Sequence, residues 1–196
     1  MPMPILNTGT AAERGEVQKE LYLARSMTDR PYMLTVCLRD DEPKWHDLNF
    51  DVGMCCEAAL RASFEAAGES GARGEVSILL SSDSVIARLN REYRGVEGPT
   101  NVLSFPVASS RLQFAPEIEI PPLLGDIVVA FETLVEEAKS AHIPMQSHLA
   151  HMVVHGALHL LGFDHHLEEE AEVMEKLEVQ SLQSLGIGSP YSWAIL

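Results

Sequence analysis

The stretch His155-Gly156-Ala157-Leu158-His159-Leu160-Leu161-Gly162-Phe163-Asp164-His165 decides how this chain folds. It closes a longer run, Gln146 to Leu161, whose periodicity predicts a helix with an apolar face that needs a sheet beneath it. Helical positions four apart lie one above the other, about 6 Å along the axis at ~1.5 Å rise per residue. The imidazoles of His155 and His159 therefore share a face and can reach one metal ion from the same side. Gly162 lets the backbone leave the helix through a left-handed conformation that other residues resist. The chain then doubles back, and His165 arrives as a third ligand. Three nitrogen ligands leave a fourth tetrahedral position for water, which is the arrangement of a catalytic zinc site rather than a closed structural one.

The spacing matches the extended zinc-protease pattern H-E-x-x-H-x-x-G-x-x-H except at its second position, where Gly156 replaces the glutamate that serves a peptidase as general base. The residues thus predict a zinc hydrolase that is not a peptidase. Nickel or copper would also suit three imidazoles, and metal availability decides among them. His151, one turn before His155, is placed to support the ligands from behind; a fourth ligand there would close the site. Asp164 precedes the third ligand and can hold it in place or accept a proton. His142 and His166 read as surface residues, and Glu168 to Glu170 as acids that favour a helix N-terminus.

Outward from this segment, helix and strand patterns interleave. Tyr32 to Leu38, Glu75 to Leu80, Asn101 to Phe105 and Gly125 to Ala130 read as strands. Helical periods run over 51–67, over Ser84 to Tyr93 behind a Ser82-Asp83 cap, over Phe131 to Ala141, and over Glu168 to Leu185 through Val173, Met174, Leu177 and Leu182. A short helix at Glu16 to Ser26 and a loose ribbon arm at Arg111 to Phe114 are expected in otherwise irregular segments. The fold class that results is α/β (α+β): a single domain with a mixed β-sheet packed with helices.

The chain has 196 residues, 46% hydrophobic and 22% charged, as expected for one globular domain. No apolar run approaches the ~20 residues that cross a bilayer, and the first residues lack the features of a secretory signal. Three cysteines, two of them adjacent, give no disulfide framework and suit a reducing cytoplasm. A formal charge of −15 argues against broad, nonspecific nucleic-acid binding, which rests on neutralising phosphates with Lys and Arg. It leaves room for a local basic site or a metal centre.

Two further residues invite a role. Arg94, between Tyr93 and Gly95 at a helix end, offers a planar charged fork suited to a phosphate, or else pairs with Glu92 or Glu97. Asp126 follows Gly125 at a strand start, where it orients a histidine, meets a partner, or simply makes a turn.

Three motifs agree in order with one family. The run His155 to His165, the stretch Y-R-G-x-x-x-P-T-N-V-L-S-F-P from Tyr93 to Pro106, and L-L-G-D-I-V-V from Leu123 to Val129 resemble the YbeY endoribonucleases across most of 32–187. The resemblance implies a zincin-like α/β sandwich with one Zn2+ per chain. It also implies a cytoplasmic, single-strand-specific endoribonuclease that matures the small-subunit (16S) rRNA 3′ end and acts in ribosome quality control. By that likeness His155, His159 and His165 are zinc ligands, Arg94 is the catalytic or RNA-positioning arginine, and Asp126 contacts ribosomal partners. The implied partners are single-stranded RNA, an rRNA precursor, the small ribosomal subunit and its assembly factors, with no membrane and no DNA. Residues 1–31 form an N-terminal extension and 188–196 a C-terminal tail around the 32–187 domain. The acidity suggests that docking on the ribosome supplies the substrate. A zinc hydrolase of another substrate class, and a non-enzymatic, zinc-containing ribosome-assembly factor, are the alternatives.

Overall fold

A computed structural model describes residues 34–107 and 123–195. The expected helix at Glu16 to Ser26 and the ribbon arm at Arg111 to Phe114 lie outside them. Four strands, β1 (Leu34–Asp40), β2 (Gly74–Ser81), β3 (Val102–Pro106) and β4 (Leu123–Ala130), form one sheet in the order β1-β2-β4-β3. The first three in that order are parallel, and β3 closes the edge antiparallel to β4. Five helices accompany them: α1 (Val52–Ala66), α2 (Asp83–Arg94), α3 (Phe131–Ser140), α4 (Met145–Leu160) and α5 (Glu168–Ser184). The chain is thus the mixed-sheet α/β domain its interleaved patterns predict.

Side-chain alternation sorts the sheet residues onto two faces. Val76, Ile78, Leu80, Ile127 and Val129 enter the large core with Cys56, Leu60 and Phe64 of α1, Leu149, Val153 and Leu158 of α4, and Met174 and Leu182 of α5. Val128, Ala130 and Leu103 meet Ile86 of α2 on the other face, with Leu79, Leu89 and Phe105 beside them. Helix α4 is the axis of the large core. It buries ten of its sixteen residues, and each large apolar side chain so buried contributes about 1.5–3 kcal/mol. Beyond its first two residues, half-buried Met145 and exposed Gln146, the stripe Ser147, His151, His155 and His159 is half-buried along its length.

Cys55 and Cys56 sit on the buried side of α1, where Cys55 Sγ reaches the Gln146 carbonyl at 3.6 Å. Burial pushes the Cys55 thiol up to about 11 and the Cys56 thiol well above its usual range.

Two glycines allow α4 to lie close to β4. A Cβ on Gly156 would stand 3.0 Å from Ile127 Cγ2, and one on Gly125 would stand 2.6 Å from both Leu160 Cδ2 and the Phe105 carbonyl oxygen. Gly125 also follows a register irregularity between β2 and β4, where Glu75 faces Leu123 and Val76 faces Gly125. Gly125-Asp126 is therefore mid-strand, not the turn that an aspartate beside a glycine commonly marks. The first strand also runs past its expected end at Leu38, because Arg39 and Asp40 still pair with Leu79 and Leu80.

The start of α2 departs from expectation. Ser82 occupies the N-cap position, but its hydroxyl turns to Ser84 and makes no cap bond. The helices α2 and α3 cap one another instead. Asp83 Oδ1 accepts from the Thr133 backbone N–H and hydroxyl, and Glu132 Oε2 accepts from the Asp83 N–H, all within 3.0 Å. These bonds satisfy N-terminal donors that have no partner inside a helix.

Replacing Gly125 by Ala should lower stability to denaturant by about 1–3 kcal/mol, the range for overpacking a filled core. Gly156→Ala should cost less, because its nearest neighbours all belong to the Ile127 side chain at 3.0 Å or more, whereas backbone lies 2.6 Å from the added atom at Gly125. Equal unfolding midpoints for Gly125→Ala and the unaltered chain would contradict the close approach.

Candidate metal centre

The histidine stretch folds as its residues dictate. Helix α4 ends at Leu160, and Gly162 takes φ 90°. Its N–H donates to the His159 carbonyl and that of Phe163 to the Leu158 carbonyl, each at 3.0 Å. This is the Schellman pattern, which satisfies the last carbonyls and reverses the chain. Asp164 then accepts the His165 backbone N–H on Oδ1 at 2.8 Å, and that bond holds its carboxyl below the usual range. Asp164 therefore fixes the backbone of the third histidine rather than its ring. Its other oxygen lies 3.3 Å from exposed His166.

The reversal brings the three rings together. One nitrogen from each of His155, His159 and His165 lies within 4.8 Å of the others, an arrangement that could hold a metal ion. The Nε2 atoms of His155 and His159 are 3.1 Å apart, close to the ~3.3 Å that two tetrahedral ligands at ~2.0–2.1 Å from a zinc ion require. Burial lowers the His159 pKa to about 4, and the neighbouring His155 and His165 reinforce the shift. Its ring is therefore neutral at pH 7 and carries a lone pair for a metal. The donor set suits a borderline-soft divalent cation such as zinc, and His165 is exposed, so the centre opens to solvent.

Behind the triad stands a carboxylate that the sequence did not flag. Glu178 of α5 is 2% exposed. His155 Nδ1 donates to its Oε1 at 2.7 Å and His151 Nε2 donates to its Oε2 at 3.0 Å. A carboxylate only accepts, so the His155 proton is on Nδ1 and its Nε2 lone pair faces the other histidines. Burial alone would raise the Glu178 pKa, but the hydrogen bonds from His151, His155 and Tyr191 bring it to about 2. His151 thus acts on the site through Glu178, with no direct contact to a ligand ring. The signal was present: Glu178 is four residues from both Met174 and Leu182 in the buried stripe of α5, where a charge requires partners. Val173, read as part of that stripe, is 48% exposed. Tyr191 and Trp193, in the 3-10 turn Pro190–Ile195, also meet this network.

Arg94 ends α2 exposed and makes no ion pair among the described residues; Glu97 lies 3.9 Å from Arg91 instead. The edge strand β3 connects it to the histidines. The Phe105 ring meets Tyr93 edge-on at 5.3 Å, while the Phe105 carbonyl and Pro106 crowd Gly125 beside Leu160, next to His159. Tyr93, the residue before Arg94, and Leu160, the residue after His159, thus reach the same end of β3 from its two faces. Asp126 pairs with Ser77 and Phe105 in register. Its neighbour Ile127 packs on Gly156, so alternation puts Asp126 on the opposite face, away from the histidines. It does not orient a histidine. At the other end of α4, His148 Nε2 meets Glu137, which also accepts from the Asn101 amide. That cluster ties the start of α4 to the loop before β3.

Comparison with known proteins gives the family. The family profile Endoribonuclease YbeY matches residues 24–186. The curated protein named Endoribonuclease YbeY from Azorhizobium caulinodans is 48% identical over 143 residues, 72% of this chain and 87% of its own length. That from Rhodospirillum rubrum is 43% identical over 172 residues, 84% of each chain. That from Bradyrhizobium diazoefficiens is 43% identical over 136 residues, 69% of this chain and 74% of its own. With three clustered imidazoles and a match over most of its length, the chain belongs to the Endoribonuclease YbeY family.

Proposed function

We propose that this chain is a zinc-dependent, single-strand-specific endoribonuclease. Its role is rRNA processing in the cytoplasm, at the 16S 3′ end, and ribosome quality control. The observation that carries the reading is the triad itself: three neutral-capable imidazoles gathered within 4.8 Å at an open surface, in a chain of the Endoribonuclease YbeY family. His155, His159 and His165 would hold the ion. Bound there, zinc would supply Lewis acidity and lower the pKa of water toward neutrality.

The chain's own residues supply the rest. Glu178 keeps His155 in the Nδ1–H form, and Asp164 holds the His165 backbone, so the ligand set is preorganised. Arg94 brings an uncommitted guanidinium that can take two non-bridging phosphate oxygens and offset their growing charge. Gly156 faces Ile127 in the core, so this turn of α4 has no room for the carboxylate a peptidase uses. That disfavours amide hydrolysis. With a net charge of −15, the chain gains little from long-range attraction to RNA. Docking on the small ribosomal subunit, with the Asp126 face as the partner contact, would bring rRNA to the site.

His159→Ala should lose both bound zinc and cleavage of a labelled single-stranded RNA, in preparations purified side by side. Equal cutting by both proteins would trace the activity to a contaminant. Cutting by neither, with zinc bound to the unaltered chain, would favour a binding role. Arg94→Ala should keep its zinc and slow cleavage by about 100-fold or more, as for loss of a group that stabilises transition-state charge. An unchanged rate would remove Arg94 from the chemistry.

A further inference from the structure

The carboxylate behind the triad is held from three directions. Glu178 Oε1 takes the His155 proton at 2.7 Å, and Oε2 takes one from His151 at 3.0 Å. Oε2 also accepts the Tyr191 hydroxyl, delivered from the 3-10 turn Pro190–Ile195. That hydroxyl is spent on Glu178, whose charge pushes the phenol's pKa upward together with burial. The same turn sets Trp193 against the His151 ring, edge to face, with centroids 5.7 Å apart. His151 is thus trapped between the indole and the carboxylate. Tyr191 further lines a hollow of about 340 Å³ that it shares with His155, His165, Met174 and Glu175.

A carboxylate with one oxygen engaged could still rotate, and with it the proton that fixes the His155 tautomer. Occupying Oε2 twice removes that freedom. The arrangement costs something: a charge 2% exposed must have its lone pairs filled to be tolerated. The end of the chain supplies one of the three donors that fill them.

We propose that Glu178 and Tyr191 are positioning residues of the metal site, with the C-terminal turn locking the carboxylate that orients His155. The inference rests on the three histidines being the ligands. It assigns the last residues of the chain a part in metal retention, separate from any contact with RNA.

The test is zinc affinity of the full-length protein, by competition with a chromogenic chelator, beside the thermal midpoint of the zinc-free form. Loss of such outer partners typically costs 10–100-fold in affinity. Glu178→Gln should weaken zinc binding by about that range, and Tyr191→Phe by about tenfold, while Tyr191→Phe lowers the zinc-free midpoint only modestly, through the loss of one hydrogen bond to a buried charge. Histidine 15N spectra of zinc-free Glu178→Gln should show His155 losing its uniform Nδ1–H form, which a merely structural role would not produce. Ser192→Ala is the control, because among the described residues its hydroxyl donates to the Ser189 carbonyl, just before the turn, and not to Glu178. Unchanged zinc affinity in Tyr191→Phe would overturn the role of the tail. An equal loss of affinity in Ser192→Ala, with a lowered zinc-free midpoint, would also overturn it by showing a general packing effect. An unaltered chain that binds no zinc would sink the ligand reading, and this one with it.

Discussion

The close contact between α4 and β4 is the constraint on which everything else depends. Gly156 admits Ile127 against the helix backbone, and Gly125 admits the end of Leu160 against the sheet. These contacts fix both the rotation of α4 and its height over the strands. Rotation decides that His151, His155 and His159 face outward while Val153, Val154, Ala157 and Leu158 face inward. Height decides that the helix ends beside β3, where the reversal at Gly162 can return His165 to the other two rings. Interiors packed to crystal-like density transmit such constraints with little slack. The site is therefore positioned by glycines that carry no chemistry.

A second dependence runs through Glu178. Burying a charge is tolerated only when its hydrogen-bonding capacity is filled, and here the filling groups come from α4 and from the C-terminal turn. One ion thereby joins three segments far apart in sequence. The cost of desolvating it is offset by bonds that also set the tautomer of His155, so stability and metal-site geometry share a single group. The cluster of Glu137, His148 and Asn101 is a parallel case at the opposite end of α4 and anchors the helix to the loop before β3.

Much of this was legible in the sequence because local rules carried it. The helix period from Gln146, the reversal at Gly162 and the three-histidine spacing all follow from neighbours within eleven residues. Strands and helices were found to within about two residues by alternation and helical period. What escaped was set by tertiary partners. Ser82 holds the N-cap position without a side-chain cap bond, because its hydroxyl turns to Ser84, while Glu132, about fifty residues on, takes the Asp83 N–H. Gly125-Asp126 looks like a turn, yet the glycine answers to Leu160 and Phe105 from other elements. Glu178 gives no local signal of its partners, because charged residues on a helix are usually solvated and its donors come from α4 and the C-terminal turn. Tyr191, past the last periodic segment, had no pattern to betray it.

The buried thiols bear on which groups a metal can find. Thiolates outcompete imidazoles for zinc, but only once the proton has left. With Cys55 pushed up to about 11 and Cys56 also raised well above its usual range, the folded chain keeps both sulfurs protonated at neutral pH and buried, Cys55 against the start of α4. Unfolding returns them to an ordinary thiol pKa of roughly 8.5 and to solvent. Folding thus silences this adjacent pair of soft competing donors at the same moment that it assembles the imidazoles. Order of events matters in consequence: metal offered to the folded protein meets nitrogen, while metal offered to the unfolded chain meets a vicinal pair of sulfurs.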